Sequence, residues 1–114
     1  MTISWTDAIR GFGRYLRIER SLSPNSVAAY LADVRRLHDW VESHRPGTWP
    51  SALTYRDLSD FVAFIATRDD AVRTQARVIS RIRSFCRYML IENLVTDDPA
   101  ALLEELEDLK TSPV

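Results

Sequence analysis

At 114 residues, with 46% hydrophobic and 27% charged residues, the chain has the size and composition of one soluble domain rather than of a disordered segment. Its start, Met1-Thr2-Ile3-Ser4-Trp5, carries neither a basic leader nor an apolar run, and no stretch approaches the roughly 20 apolar residues that span a bilayer. With a single cysteine, Cys86, and no membrane segment, a cytoplasmic protein without membrane contact is expected. The net charge of −1 hides a segregation: five arginines and no acid lie between Arg73 and Arg87, and six acids and no base between Asp97 and Asp108.

The periodicity predicts an all-α fold, a compact bundle of four long helices plus a short C-terminal one, with no sustained alternation that would suggest a sheet. The first helix is expected from about Thr6 to Arg20, with Trp5, Ile9, Phe12 and Leu16 on one stripe. Gly11 and Gly13 either weaken that helix, at on the order of 1 kcal/mol each against Ala, or permit a close helix contact. Ser23 is a natural N-cap and Pro24 suits the first helical position, opening a second helix with Val27, Leu31, Val34, Leu37, His38 and Val41 inward. It ends at Ser43-His44-Arg45-Pro46-Gly47, the strongest loop signal in the chain.

The third helix starts at a Thr54 cap with Asp57 three residues on, a short-armed capping box, and Leu53 and Leu58 are placed to staple across it. Leu58, Phe61, Val62 and Ile65 form its buried stripe, and acids at Asp69-Asp70 place its end near Arg68. On the fourth helix Val78, Ile79, Ile82, Phe85, Cys86 and Met89 gather in one arc. Arg73, Arg77, Ser80, Arg81, Ser84, Arg87 and Tyr88 fall on the other side. Asp98-Pro99 reads as cap and first residue of the last helix, with Leu102, Leu103, Leu106 and Leu109 apolar, before linker-like Thr111-Ser112-Pro113-Val114.

Catalytic constellations are missing. His38 and His44 stand six apart with no cysteine near, which makes no metal site, and His38 reads as a packed core residue. There is no glycine-rich phosphate loop, no nucleophile with a matching base and no paired carboxylates, and Cys86 lies on the core stripe as an inert thiol. Neither a cofactor nor a small-molecule substrate is expected. The one constellation suited to function is the arginine face of the fourth helix: guanidinium groups fit phosphate and the acceptor edge of guanine, and a helix fits the major groove. An ordinary solvated helix surface accounts for the same residues.

Three segments in order resemble the Xer-type tyrosine recombinases. They are Glu19-Arg20-Ser21-Leu22-Ser23-Pro24-Asn25-Ser26 with Tyr30, Asp33 and Val34; Thr74 to Phe85 with Tyr88; and Asp98-Pro99-Ala100. The resemblance implies a SAM-like core-binding domain over residues 1–110 and the start of an interdomain linker at 111–114, with the catalytic domain absent, so that the chain alone is no enzyme. It implies double-stranded DNA as partner, with other recombinase subunits joining in the full-length protein. DNA contacts carry over to Ser23, Asn25, Ser26 and Tyr30 at the start of helix two, and to Arg73, Thr74, Arg77 and Arg81 on helix four. Asn25 and Ser26 suit a phosphate at a helix N-terminus, Arg77 and Arg81 suit base edges, and Arg73 and Arg87 suit phosphates. Tyr30 borders the apolar stripe and either contacts DNA or only packs.

A first helix beginning almost at Met1 leaves no room for an additional arm-binding domain, which favours a simple Xer-like or transposon-type protein. Two features depart from the family pattern. The tail Glu104 to Lys110 is more acidic than its linker, and Ala28 and Ala29 stand where polar residues would help contact DNA. Two other readings remain open at this level: a helical protein-interaction module that docks its acidic last helix, and a stand-alone DNA-binding regulator that does not cut.

Overall fold

The computed structural model describes residues 2–68, 72–101 and 103, and among them the fold is all-helical, with no strand. Four helices follow in order: α1 (Trp5–Ile18), α2 (Pro24–His44), α3 (Tyr55–Thr67) and α4 (Val72–Ile91). A single 3₁₀ turn, Pro50–Ala52, lies between α2 and α3 and was not expected from the sequence. Ala101 and Leu103 are helical, two residues later than the start expected at Pro99, since Pro99 and Ala100 form a turn; the expected Leu102, Leu106 and Leu109 lie outside the described residues.

Side chains start three of the helices as their chemistry dictates. Ser4 caps α1 by accepting from the Asp7 N–H at 3.0 Å, one residue earlier than the hydrophobic stripe suggested. Ser23 caps α2 with Pro24 in the first turn, and Thr54 and Asp57 form a reciprocal capping box on α3. Leu53 and Leu58, either side of that box, are both buried. The exit of α4 uses Asn93 in the left-handed region (φ 59°), from which the Leu94 N–H closes on the Met89 carbonyl at 2.8 Å.

The core is a layer of aromatic and aliphatic side chains among α1, α2 and α4, with α3 closing one end. Phe12, Phe61 and Phe85 are its largest fully buried members. Phe85 meets Phe12 edge-on at 5.4 Å, and Trp40 meets Phe61 in the same manner at 5.8 Å. Trp5 anchors the N-terminus: its indole N–H donates to the Thr48 carbonyl at 2.8 Å, and its ring stacks on His38 at 4.7 Å. His38 is thus packed on one ring face, but it remains partly exposed and faces Glu42 at 3.3 Å, so it is a boundary residue rather than a core one.

Tyr88 corrects the helical-wheel expectation that it shares the arginine side of α4. It is buried at 6% exposure, with its ring 5.6 Å from Phe12 and 5.3 Å from Tyr15. The reason is Gly11. A Cβ there would stand 2.2 Å from the Tyr88 hydroxyl oxygen, so the glycine on α1 makes the space that lets a bulky phenol turn inward. Gly13 likewise lets Leu31 of α2 approach to 3.1 Å of where its Cβ would be. The two glycines are therefore close-contact positions between helices.

Gly11→Ala gains helix propensity of about 1 kcal/mol but drives a methyl into an oxygen that packed rings hold in place, a misfit of roughly 1–3 kcal/mol. The expected outcome in thermal or denaturant unfolding is a less stable chain. The same substitution in a Tyr88→Phe background, where the clashing oxygen is gone, is expected to cost less than in the parent.

Candidate nucleic-acid interface

The sequence-predicted residues come from two helices that lie side by side. Tyr30 meets Arg81 of α4 and lines a groove with Ser84 and Arg87, whereas Asp33, one turn further along α2, reaches back to Arg77. These pairings run in opposite chain directions, so α2 and α4 are antiparallel here. The start of α2, with Ser23, Asn25 and Ser26, lies toward the Arg87 end of α4, and Arg73 and Thr74 lie toward the other end.

At the centre stands a carboxylate that sequence reasoning did not assign to the face. The Asp33 side chain is only 4% exposed and accepts from Arg77 through Nε at 3.2 Å and Nη2 at 3.3 Å, a two-pronged contact. It also accepts from Arg81 Nη1 at 2.8 Å. The Arg81 guanidinium lies 4.8 Å above the Tyr30 ring, which in turn packs against Phe12. α4 carries no acid between Arg73 and Arg87, yet its neighbour α2 neutralises part of its charge. The helical spacing of Tyr30, Asp33 and Leu37 is the signal that could have revealed this: a carboxylate one turn along an apolar stripe needs a cation across the interface.

The remaining residues differ in availability. Arg73 and Arg87 are exposed and make no ion pair among the described residues. Arg77 keeps a side chain 46% exposed, while Arg81 keeps 20%. Thr74 and Tyr30 are half-buried. Ser23 and Ser26 are engaged with each other: Ser23 Oγ accepts from the Ser26 N–H at 3.2 Å and donates to Ser26 Oγ at 3.1 Å. Asn25 is exposed beside them.

Two concavities adjoin these helices. One, of ≈ 230 Å³, is walled by Arg20, Tyr30, Ser80, Arg83, Ser84, Arg87, Asp98 and Ala100. The other, of ≈ 560 Å³, lies between α1 and α2, with Ile9 and Leu31 on its floor and Arg10, Arg14, Arg17 and Arg35 around it. Neither holds residues suited to bond-breaking. Cys86 is fully buried and its thiol is pushed well above the ordinary range by burial, with Asp98 adding to the effect. Among the described residues no group of three or more His, Cys, Asp or Glu is placed to hold a metal, and no helix is long and apolar enough to cross a membrane.

Comparison with known proteins bears on this geometry. A family model described as phage integrase, N-terminal SAM-like domain, matches residues 9–93. The chain is 30% identical to tyrosine recombinase XerD of Bifidobacterium longum over 113 residues, which is 99% of this chain and 36% of that protein. It is 32% identical to XerD of Listeria monocytogenes over 98 residues, 86% of this chain and 33% of the relative. To XerC of Pseudomonas fluorescens it is 31% identical over 86 residues, 75% of this chain and 28% of the relative. The chain thus spans about a third of the length of the curated relatives it matches. No solved structure gives a significant match.

Removing the shared carboxylate leaves two guanidinium groups close together with no anion between them. Asp33→Ala is expected to lower the unfolding free energy by about 2–3 kcal/mol, less than the roughly 3–5 kcal/mol typical of a fully buried pair because Arg77 is half in water. Denaturant unfolding measures the loss, and an Asp33→Ala variant as stable as the parent would deny the carboxylate its organising role.

Proposed function

The chain belongs to the phage integrase N-terminal SAM-like domain family, and from that premise we propose that it is the DNA-gripping domain of a site-specific tyrosine recombinase of the Xer kind. Residues 1–110 form the core-binding domain, and 111–114 begin the linker toward a catalytic domain that lies outside this chain. The observation that carries the reading is the side of α4 that meets α2: Arg73, Arg77, Arg81 and Arg87 stand along it with no acid on the helix itself.

In this reading the α2–α4 surface lies along the major groove of duplex DNA. Arg73 and Arg87, exposed and unpaired with acids among the described residues, neutralise backbone phosphates. Asn25 and Ser26, at the positive end of the α2 dipole, hold another phosphate, and Ser23, whose Oγ takes the Ser26 N–H, keeps that helix end in place as its cap. Arg77 and Arg81, held by Asp33, present their remaining N–H groups toward base edges, with Thr74 beside them. A guanidinium fixed by a buried carboxylate loses less rotamer freedom on binding than one waving in water, which favours its use for reading over mere attraction. Tyr30 serves as the platform under Arg81.

Strand cleavage and rejoining fall to the domain beyond the linker, and other recombinase subunits assemble there with the DNA. Grip by this chain alone is weak, because one of the two central charges is already spent on Asp33 and the whole chain is near neutral.

Binding to a duplex across a salt series tests the reading. The expected result is weak binding whose log–log salt slope falls by up to about two when Arg73→Ala and Arg87→Ala are combined, at close to 0.9 for each phosphate no longer neutralised. The chain is expected to leave supercoiled DNA unnicked. A double variant with the parent's affinity and slope would refute the assigned face, and nicking by the pure chain would refute the division of labour.

A further inference from the structure

We propose that the groove between the end of α1 and the last turns of α4 is a binding site for one phosphate group, separate from the Arg77–Arg81 face. The source of that phosphate, on the reading above, is the backbone of duplex DNA. Three arginines reach this ≈ 230 Å³ groove: Arg20 from just beyond α1, and Arg83 and Arg87, one turn apart on α4. Planar guanidinium groups converging from two elements suit the several oxygens of one phosphate better than they suit a flat surface.

The groove also holds an orphan. Ser84 lies in its wall, and the Ser84 Oγ is shut off from solvent yet has no hydrogen-bond partner among the described residues. Buried hydroxyls are nearly always bonded, so an unmade bond at the wall of an arginine-lined groove points to an absent acceptor. An oxygen of a seated phosphate, met by a small rotation of the serine side chain, accepts that bond. Ser80, one turn earlier on α4, offers a second hydroxyl at the groove's rim.

Among the described residues one carboxylate lines the same space. Asp98 Oδ1 is engaged by the Ala100 N–H at 2.8 Å, and the guanidinium groups of Arg20 and Arg87 outnumber it. The contrast with the other arginine pair is chemical: Arg77 and Arg81 already share the Asp33 anion, whereas Arg20 and Arg87 make no ion pair among the described residues. Tyr30 connects the two places, lying under Arg81 and lining the groove.

The 114-residue chain can be titrated with inorganic phosphate at ionic strength matched with chloride and followed by ¹H–¹⁵N spectra and thermal unfolding. Phosphate is expected to shift the backbone N–H signals of Ser84 and Arg87 and to leave that of Arg73 in place. It should raise the unfolding midpoint of the parent and of Arg73→Ala, but not of Arg20→Ala or Ser84→Ala. Ser84→Ala deletes a hydroxyl that has no partner, so in phosphate-free buffer it should unfold no earlier than the parent, which separates loss of the site from loss of the fold. With duplex DNA, Arg20→Ala should reduce the salt slope by about one.

A parent indifferent to phosphate in both readouts overturns the site and leaves the wider DNA reading standing. Phosphate binding with an unchanged DNA slope in Arg20→Ala overturns the DNA backbone as its source. A chain that takes phosphate at Ser84 but no duplex at any salt supports the groove as an anion site and sinks the DNA reading.

Discussion

The fold turns on a single carboxylate. Asp33 sits almost out of reach of water on α2 and is tolerated there because two guanidinium groups of α4 close over it. A buried charge that is paired and hydrogen-bonded fixes the register of the elements that pair it, since sliding α4 along α2 by one turn would exchange or lose its partners. That register decides where Arg73, Arg81 and Arg87 stand relative to the start of α2. It also decides that Tyr30 lies beneath Arg81 and that Ser84 faces the groove beside Arg20. Stability and the candidate interface are therefore not separate properties of this chain.

Much of this was legible in the sequence. Caps announce themselves chemically, so Ser23-Pro24 and Thr54 with Asp57 placed two helix starts to the residue, and apolar spacing identified Phe12, Val34, Phe61, Ile82 and Phe85 as core. Local patterns report local structure. They do not report what another helix brings. The acid-free run from Arg73 to Arg87 reads as uncompensated charge only until α2 contributes Asp33, forty-four residues from Arg77 in sequence. Tyr88 fails on a wheel for the same reason, because its inward turn depends on an absence at Gly11 of another helix. His38 falls between the two cases, apolar by position but half-open because Trp5 covers one face of its ring and Glu42 the other side of its environment.

The charge segregation seen in the sequence acquires a spatial meaning. Arginines collect on three surfaces: along α4, in the groove beside Arg20, and around the cleft between α1 and α2. A chain of nearly zero net charge can therefore present strongly positive faces, because field depends on distribution rather than sum. The near-neutral total sets how strongly the chain as a whole drifts toward polyanions, and the local faces set how it docks.

The junction between α2 and α3 closes with an arrangement of a different sort. Arg45, the C-cap of α2, donates to Asp57 at 2.8 Å and also to Asp60, and the same Asp57 accepts the Thr54 N–H that starts α3. Asp60 and Asp57 together raise the affinity of that guanidinium for its proton. One side chain thus terminates a helix and secures the first turn of the next. Fraying at the end of α2 is thereby coupled to fraying at the beginning of α3, and the two ends are expected to open as one unit in amide hydrogen exchange.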